Sequence, residues 1–242
     1  MFDFLERTAL VMGAPAVEAL ERASMAVLGL GGVGGSAAEA LCRAGVGRLL
    51  LVDSDQVSHS NLNRQLLALH STQGQDKTEA ARRRLLDINP QCDITVVRSF
   101  YLPENSDFLF DWGPHVVLDA IDTVTAKLHL AQACRDRDIG LVSSMGTGNR
   151  KDPSCLRLGD VSQTAGNGCP LARVMRRELK KRGVERLETV YSVELPVKSV
   201  CAESEKGRHA PGSTPFVPPA AGYLLAYGAV RQYLRRQGLW PE

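Results

Sequence analysis

The chain has 242 residues, 44% of them hydrophobic and 23% charged, with a formal net charge of +2. That length suits one full α/β domain with a sizeable core and is short for two. Near-balanced charge excludes a globally basic nucleic-acid binder, so any basic surface must be local. The six cysteines are Cys42, Cys92, Cys134, Cys155, Cys169 and Cys201, and no two lie closer than fourteen residues. No C-x-x-C pair is therefore present to grip a structural zinc, and none is expected. Asp3 and Glu6 break the apolar start, so a secretory signal is not expected, and reduced thiols in a cytoplasmic protein are. The apolar run Ala220–Val230 is too short to cross a bilayer, which takes about 20 residues.

In chain order, Ala14–Arg22 reads as a short helix leading into a buried strand at Met25–Leu28. Glycines come next, then an Ala/Leu/Glu helix at Ser36–Arg43 that stops before Gly45 and Gly47, and an aliphatic strand at Arg48–Val52 closed by Asp53. Lys77–Ile88 is strongly helical and ends at Asn89-Pro90, where proline disfavours continuation. Ile94–Val97 and Val116–Leu118 read as strands, Val124–Asp136 as a helix and Leu141–Ser143 as a further strand. This alternation predicts a Rossmann-like, doubly wound and mostly parallel sheet with helices on both faces. Beyond it the spacing predicts a basic helix at Leu171–Arg182, a strand at Thr189–Val193 and a polar loop over Ser199–Pro219. A C-terminal helix is expected at Ala220–Arg236. With no repeat or low-complexity tract, residues 1–242 read as one domain. Its nucleotide-binding half covers about 1–150 and a substrate-facing half about 151–242.

Gly29, Gly31 and Gly34 fit G-x-G-x-x-G between a predicted strand and a predicted helix, and Gly32 lies within the loop. Such a turn brings phosphate oxygens to backbone N–H groups at a helix N-terminus. Asp53 ends the next strand nineteen residues after Gly34, where an acid accepts hydrogen bonds from ribose. The loop alone leaves dinucleotide and ATP both open. Residues further along the chain separate them: Asp55, then Asn61-Leu62-Asn63-Arg64-Gln65, then Lys77, then Asp119-Ala120-Ile121-Asp122. Hydride transfer has no evident use for the cations. Arg64 and Lys77 suit a polyphosphate and the charge of a pentacoordinate α-phosphorus, and Asp122 at the carboxyl edge suits Mg²⁺.

Together, G-x-G-G-V-G, L-V-D-x-D, N-x-N-R-Q, the lysine thirteen residues after the arginine and D-A-x-D resemble the ubiquitin-activating-enzyme-like (HesA/MoeB/ThiF) superfamily over nearly the whole chain. The resemblance implies that ATP is bound, with Asp53 on ribose and Asn61, Arg64 and Lys77 on the triphosphate. It makes Asp122 the magnesium ligand, with Asp55 and Gln65 extending the same motifs. Glu6-Arg7-Thr8-Ala9-Leu10 with Gly13 is similar to the family's R-T-x-L-x-x-G opening. That implies a homodimer in which Arg7 reaches the partner subunit's nucleotide site.

The second half resembles one branch, the tRNA threonylcarbamoyladenosine dehydratases. The shared features are Ser143–Asn149, Asp152-Pro153, Pro170–Gly183 and Pro215–Pro218. The branch implies adenylation of the threonylcarbamoyl carboxylate on a tRNA adenosine, then cyclisation with release of AMP. The rival activity is adenylation of the C-terminal carboxylate of a ubiquitin-like sulfur carrier. A third reading, a non-catalytic nucleotide-binding adaptor, has no use for Arg64, Lys77 and Asp122 together. Arg173, Arg176, Arg177, Lys180, Lys181, Arg182 and Arg186 face only Glu178 and Glu185, a local +5 in fourteen residues. That segment is the candidate tRNA surface, since such clusters bind phosphates without reading sequence. Where the family has D-P-L-A this chain has Cys169-Pro170-Leu171-Ala172. Cys169 and Cys201 are thus candidate reactive thiols, and a sulfur-transfer or redox protein is a candidate partner.

Overall fold

The structure is a computed structural model and describes residues 3–198 and 211–240. Seven strands form one sheet: β1 (Ser24–Leu28), β2 (Arg48–Val52), β3 (Asp93–Val97), β4 (Val116–Asp119), β5 (Gly140–Ser144), β6 (Leu156–Asp160) and β7 (Glu188–Ser192). Their order is β3-β2-β1-β4-β5-β7-β6. All neighbours are parallel except β6, which pairs antiparallel with β7.

Eight α-helices accompany the strands among the described residues. They are α1 (Glu6–Met12), α2 (Ala14–Glu21), α3 (Gly32–Arg43), α4 (Lys77–Ile88), α5 (Asp107–Trp112), α6 (Val124–Asp136), α7 (Pro170–Lys181) and α8 (Val217–Arg236). On β1, Met25 and Val27 join one apolar cluster with α2, α3, α4 and α8. Ala26 and Leu28 join the other, with α5, α6 and α7. Every residue of β1 and β4 is buried, as expected of parallel strands covered on both faces. The doubly wound reading holds.

The differences from the predicted elements have local causes. Helix α3 starts at Gly32, four residues earlier than its aliphatic pattern, because the last glycines of the loop form its first turn. Helix α8 starts at Val217, since Pro218 and Pro219 fit a first turn whose N–H groups have no intrahelical partner. Strand β6 shows only partial burial after Leu156, so its sequence lacks an aliphatic signature. The short α5 and α1 were likewise not predicted, and α1 buries none of its residues. Residues 199–210 of the expected polar loop lie outside the described residues, as does Cys201.

The order runs outward from β1 through β2 to β3 and from β4 through β5, so the winding reverses between β1 and β4. A crevice opens at such a switch point outside the carboxyl ends of the strands. The segments after β1, β2 and β4 meet there.

Candidate active site

The chain leaves β1 through Gly29, whose φ of +85° is open to glycine at little cost. A Cβ at Gly29 would lie 2.8 Å from the Ala120 carbonyl oxygen, and one at Gly34 only 1.7 Å from the Gly29 carbonyl oxygen. The spacing of the motif is therefore steric: it lets the β1–α3 turn lie against the β4 end. Gly31 is the N-cap of α3 and no side chain caps the helix, so its first N–H groups point outward as an anion seat.

Asp53, at the end of β2, is fixed before any ligand arrives. Its Oδ2 accepts from the Leu30 N–H at 2.6 Å and its Oδ1 from the Asp55 N–H at 2.8 Å. Each oxygen keeps one lone pair, which suits ribose hydroxyls. Lys77 starts α4 and is 5% exposed. Its ammonium donates to Asp55 Oδ2 at 2.8 Å and lies 3.8 Å from Asp53 Oδ1. An ammonium has three donors, so even with one turned toward Asp53 another remains for a phosphate oxygen. Asp122 comes just after β4, is exposed, and among the described residues makes no side-chain hydrogen bond or ion pair. Thr123, not Asp122, occupies the N-cap position of α6.

A cleft of about 230 Å³ joins these groups, lined by Gly29, Gly31, Asp53, Asp55, Lys77 and Asp122. Val52, Phe100 and Ile121 add apolar wall suited to a base. Phe100 is 66% exposed, and its position in a loop after β3 gave no sequence signal. Behind it Tyr101 hydrogen-bonds His129 Nδ1 at 2.8 Å. Burial pushes the Tyr101 phenol up and the His129 imidazole down, the latter with help from the Arg137 charge.

Not every predicted residue stands on that wall. Arg64 Nη1 donates to the Ser60 carbonyl and to Asn63 Oδ1, both at 2.9 Å, while its backbone lies against Gly32. Asn61 Oδ1 accepts from the Ser58 N–H, leaving its amide nitrogen as a donor. Gln65 is buried beside Gly31 with its Oε1 unpartnered. These three flank the glycine loop outside the cleft lining, as do Gly32 and Gly34. Arg7 is exposed on α1 and away from the cleft.

A buried ion pair beneath the site was not anticipated. Lys127 is 0% exposed and donates to Asp119 Oδ2 (2.8 Å), Ser143 Oγ (3.0 Å) and the Ser144 carbonyl (2.8 Å). Asp119 Oδ2 also accepts from Ser143 Oγ at 2.6 Å, and its Oδ1 from the Ile121 N–H at 3.3 Å. The network clasps the ends of β4 and β5 and shapes the turn that presents Asp122. Its sequence signal was a lysine on the apolar stripe of α6, in register with Leu130, Ala131 and Cys134.

The basic segment forms α7 and its exit. Arg177, Lys181 and Arg182 converge on Glu178, and these cations, Arg182 first, hold its carboxyl at about 2. Arg176 turns to Thr164 Oγ1 at 2.6 Å. Arg173 and Lys180 stay exposed, without an acidic partner among the described residues. Cys169 is the N-cap of α7, 5% exposed, its Sγ accepting from the Ala172 N–H at 3.5 Å.

A family model described as the ThiF family matches residues 5–192. The chain belongs to the ThiF family. Within that family it is 41% identical over 246 residues to the tRNA threonylcarbamoyladenosine dehydratase of Bacillus subtilis (strain 168), covering 97% of this chain and 96% of that one. The protein of the same name from Escherichia coli (strain K12) is 40% identical over 198 residues, 78% of this chain and 73% of that one. Among solved structures, E. coli tRNA N6-threonylcarbamoyladenosine dehydratase in complex with AMP superposes with a TM-score of 0.87 at 32% identity, covering 96% and 94% of the two chains. The same enzyme in complex with ATP gives 0.86. The molybdopterin-synthase adenylyltransferase of Salmonella typhimurium (strain LT2) is 42% identical, but over 126 residues, 52% of this chain and 50% of its own.

Proposed function

We propose that this chain is an ATP-dependent tRNA threonylcarbamoyladenosine dehydratase. The observation that carries the reading is coverage: the dehydratase relative matches 97% of the chain, whereas the carrier-protein adenylyltransferase matches 52%. The two branches share the nucleotide chemistry and differ in the substrate-facing half.

The reaction stems from the weakness of a carboxylate as an electrophile. Its oxygen attacks the α-phosphorus of ATP and pyrophosphate leaves, giving an acyl-adenylate. The carbamoyl group of the same side chain then attacks the activated carbonyl carbon and AMP leaves, closing the ring with net loss of water. Because the second nucleophile is intramolecular, proximity replaces an enzyme nucleophile, and no cysteine is required.

Each residue of the cleft then has a role. Asp53 holds ribose, Gly29, Gly31, Gly32 and Gly34 bring the α3 N-terminus to the phosphates, and the free donor of Lys77 faces the α-phosphate. Asn61, Arg64 and Gln65 complete the phosphate end from their loop, and Asp55 holds Lys77 in place. An unpaired carboxylate at the cleft suits Mg²⁺, which takes one or two carboxylates and fills its shell with phosphate oxygens and water. Asp122 is that carboxylate, and the ion when bound neutralises phosphate charge. A homodimer with Arg7 entering the partner subunit's site is supported by α1, which buries none of its residues and leaves Leu10 and Val11 each 87% exposed. Arg173, Arg176, Arg177, Lys180, Lys181 and Arg182 form the tRNA-facing surface. No described helix is long and apolar enough to cross a membrane, and we place the enzyme in the cytoplasm, where ATP and tRNA meet.

The deciding experiment incubates the protein with ATP, Mg²⁺ and tRNA carrying the linear modification, then weighs the nucleoside by mass spectrometry. Loss of one water is expected. An unchanged nucleoside from protein that binds ATP overturns the reading, and AMP transfer to a carrier peptide would establish the rival.

A further inference from the structure

The loop after β5 carries a charge that the nucleotide chemistry does not use. Arg150 is 3% exposed, and only one of its nitrogens is occupied, Nη2 donating to the Asn167 carbonyl at 2.9 Å. Its Nε and Nη1 are buried with no partner. The neighbouring Asn167 is 6% exposed. Its Oδ1 accepts from the Cys169 N–H at 3.0 Å, which fixes the amide orientation and leaves Nδ2 as a third buried, unpartnered donor. Three orphan donors around a guanidinium that never loses its proton describe a local excess of positive charge. Buried charges in proteins are compensated, because an isolated one is far too costly.

Among the described residues no carboxylate hydrogen-bonds the guanidinium, and Glu194 acts on it only at longer range. Glu194 commits its carboxylate to the Lys151 and Asp152 N–H groups at 3.1–3.3 Å. Asp152 Oδ1 is taken by the Ser154 N–H and hydroxyl, and its Oδ2 by the Cys155 thiol. The group at the next turn is Cys169, a thiol. Burial lowers the affinity of the Arg150 guanidinium for its proton, and Cys169, Glu194 and Cys155 bear on it in the opposite sense. A water molecule would satisfy donors but not charge. Beside the thiol a Cβ at Gly146 would lie 3.1 Å from Cys169 Sγ, and a monoatomic anion makes the least demand on such space.

We propose that Arg150 Nε and Nη1 and Asn167 Nδ2 form a buried site for one small inorganic anion of halide size, beside Cys169. The site is separate from the nucleotide cleft, and its ligand ties the loop after β5 to the N-terminus of α7.

The test uses the full-length protein with bromide and chloride as probes. Crystals grown in sodium bromide should show an anomalous peak within hydrogen-bond reach of Arg150 Nε. Thermal denaturation at constant ionic strength, exchanging gluconate for chloride, should show a saturable Tm rise of about 5 °C. Cys169→Asp places a carboxylate where the thiol stands, so its Tm in gluconate should exceed the wild type and its chloride response should be flat. Arg150→Met should also abolish the response. If Arg150→Met fails to fold, Cys169→Asp carries the test alone. No bromide peak at Arg150, or a chloride curve that Cys169→Asp leaves unchanged, overturns the proposal.

Discussion

The Lys127–Asp119 pair invites the most quantitative test. Both side chains are at most 1% exposed, and Nζ commits all three donors within the protein. Lys127→Met keeps most of the side-chain volume but leaves the Asp119 carboxylate buried with only the Ser143 hydroxyl and the Ile121 N–H. Removing one partner of a buried pair costs roughly 3–5 kcal/mol. For a chain of this size that is a Tm drop of about 6–20 °C, at roughly 2–4 °C per kcal/mol. Set against a typical total of about 5–15 kcal/mol, the loss is large but survivable. Replacing both partners, as Asp119→Asn with Lys127→Met, should recover most of it, since no uncompensated charge stays behind. Urea unfolding of the wild type, both single variants and the double variant measures the coupling, with ATP affinity as a second readout because Asp119 shapes the turn that carries Asp122. A single-variant loss below about 1 kcal/mol, or a double variant no better than the sum of the singles, would refute the argument.

The same geometry sets other expectations. Asp122→Asn should leave stability within about 0.5 kcal/mol, its carboxylate having no partner to lose, and Lys77→Ala should fold, yet both should lower turnover in the nucleoside assay by about 10²-fold or more; near-normal rates in either variant would remove that residue from the site. Gly34→Ala drives a methyl into the Gly29 carbonyl and should cost about 1–3 kcal/mol of stability, together with most ATP affinity measured by calorimetry. His115 accepts the Ser24 N–H on Nδ1 at 2.9 Å, and burial with the nearby Arg48 pushes its imidazole below the ordinary 6.5. A lowered folded-state value means that the unfolded chain binds the proton first. The His115 contribution is therefore whole above about pH 6.5 and is lost as pH falls below it; the urea midpoint should drop between pH 7.5 and 5.5, and less steeply in His115→Gln. On α7, Glu178 occupies three cations, so Glu178→Gln should tighten tRNA binding and steepen its salt dependence, while Arg173→Gln with Lys180→Gln should flatten it by up to about 2 units of slope. An unchanged slope in both would move the tRNA surface elsewhere.

How much of this was legible in the sequence depends on the kind of signal. Strands β1, β2 and β4 each carry an apolar run bounded by a polar residue, because both faces are covered, and helices α4 and α6 have clear starts and stops, so their bounds were readable to within a residue. The cleft residues were readable because a tight turn, a strand-end acid and a helix-start lysine each have a fixed local address. Strand β6 was not, being the half-exposed antiparallel edge with Arg157, Gly159 and Asp160 among its five residues. Phe100 sits in a loop whose path is set by what packs under it, through Tyr101 and His129. The pair Lys127–Asp119 becomes visible only when β4 and α6 are placed together, although a lysine on an apolar stripe was a readable anomaly. The +5 of the basic segment was counted correctly, but its distribution was not. Helical spacing hands three of its cations to Glu178, which a count of charges along the chain conceals.

The two described ends that border residues 199–210 rest on one residue. The Val197 N–H donates to the Asn149 carbonyl at 2.8 Å, the Asn149 N–H donates to the Gly212 carbonyl and the Gly212 N–H to Asn149 Oδ1, both at 2.7 Å. Asn63 Nδ2 adds a tie to the Ser213 carbonyl at 3.0 Å. Entry and exit are thus pinned side by side whatever lies between them. Closing a connection costs only about 0.6 kcal/mol more for each doubling of its length. With its two ends held side by side, the connection can differ in length at little closure cost to the sheet.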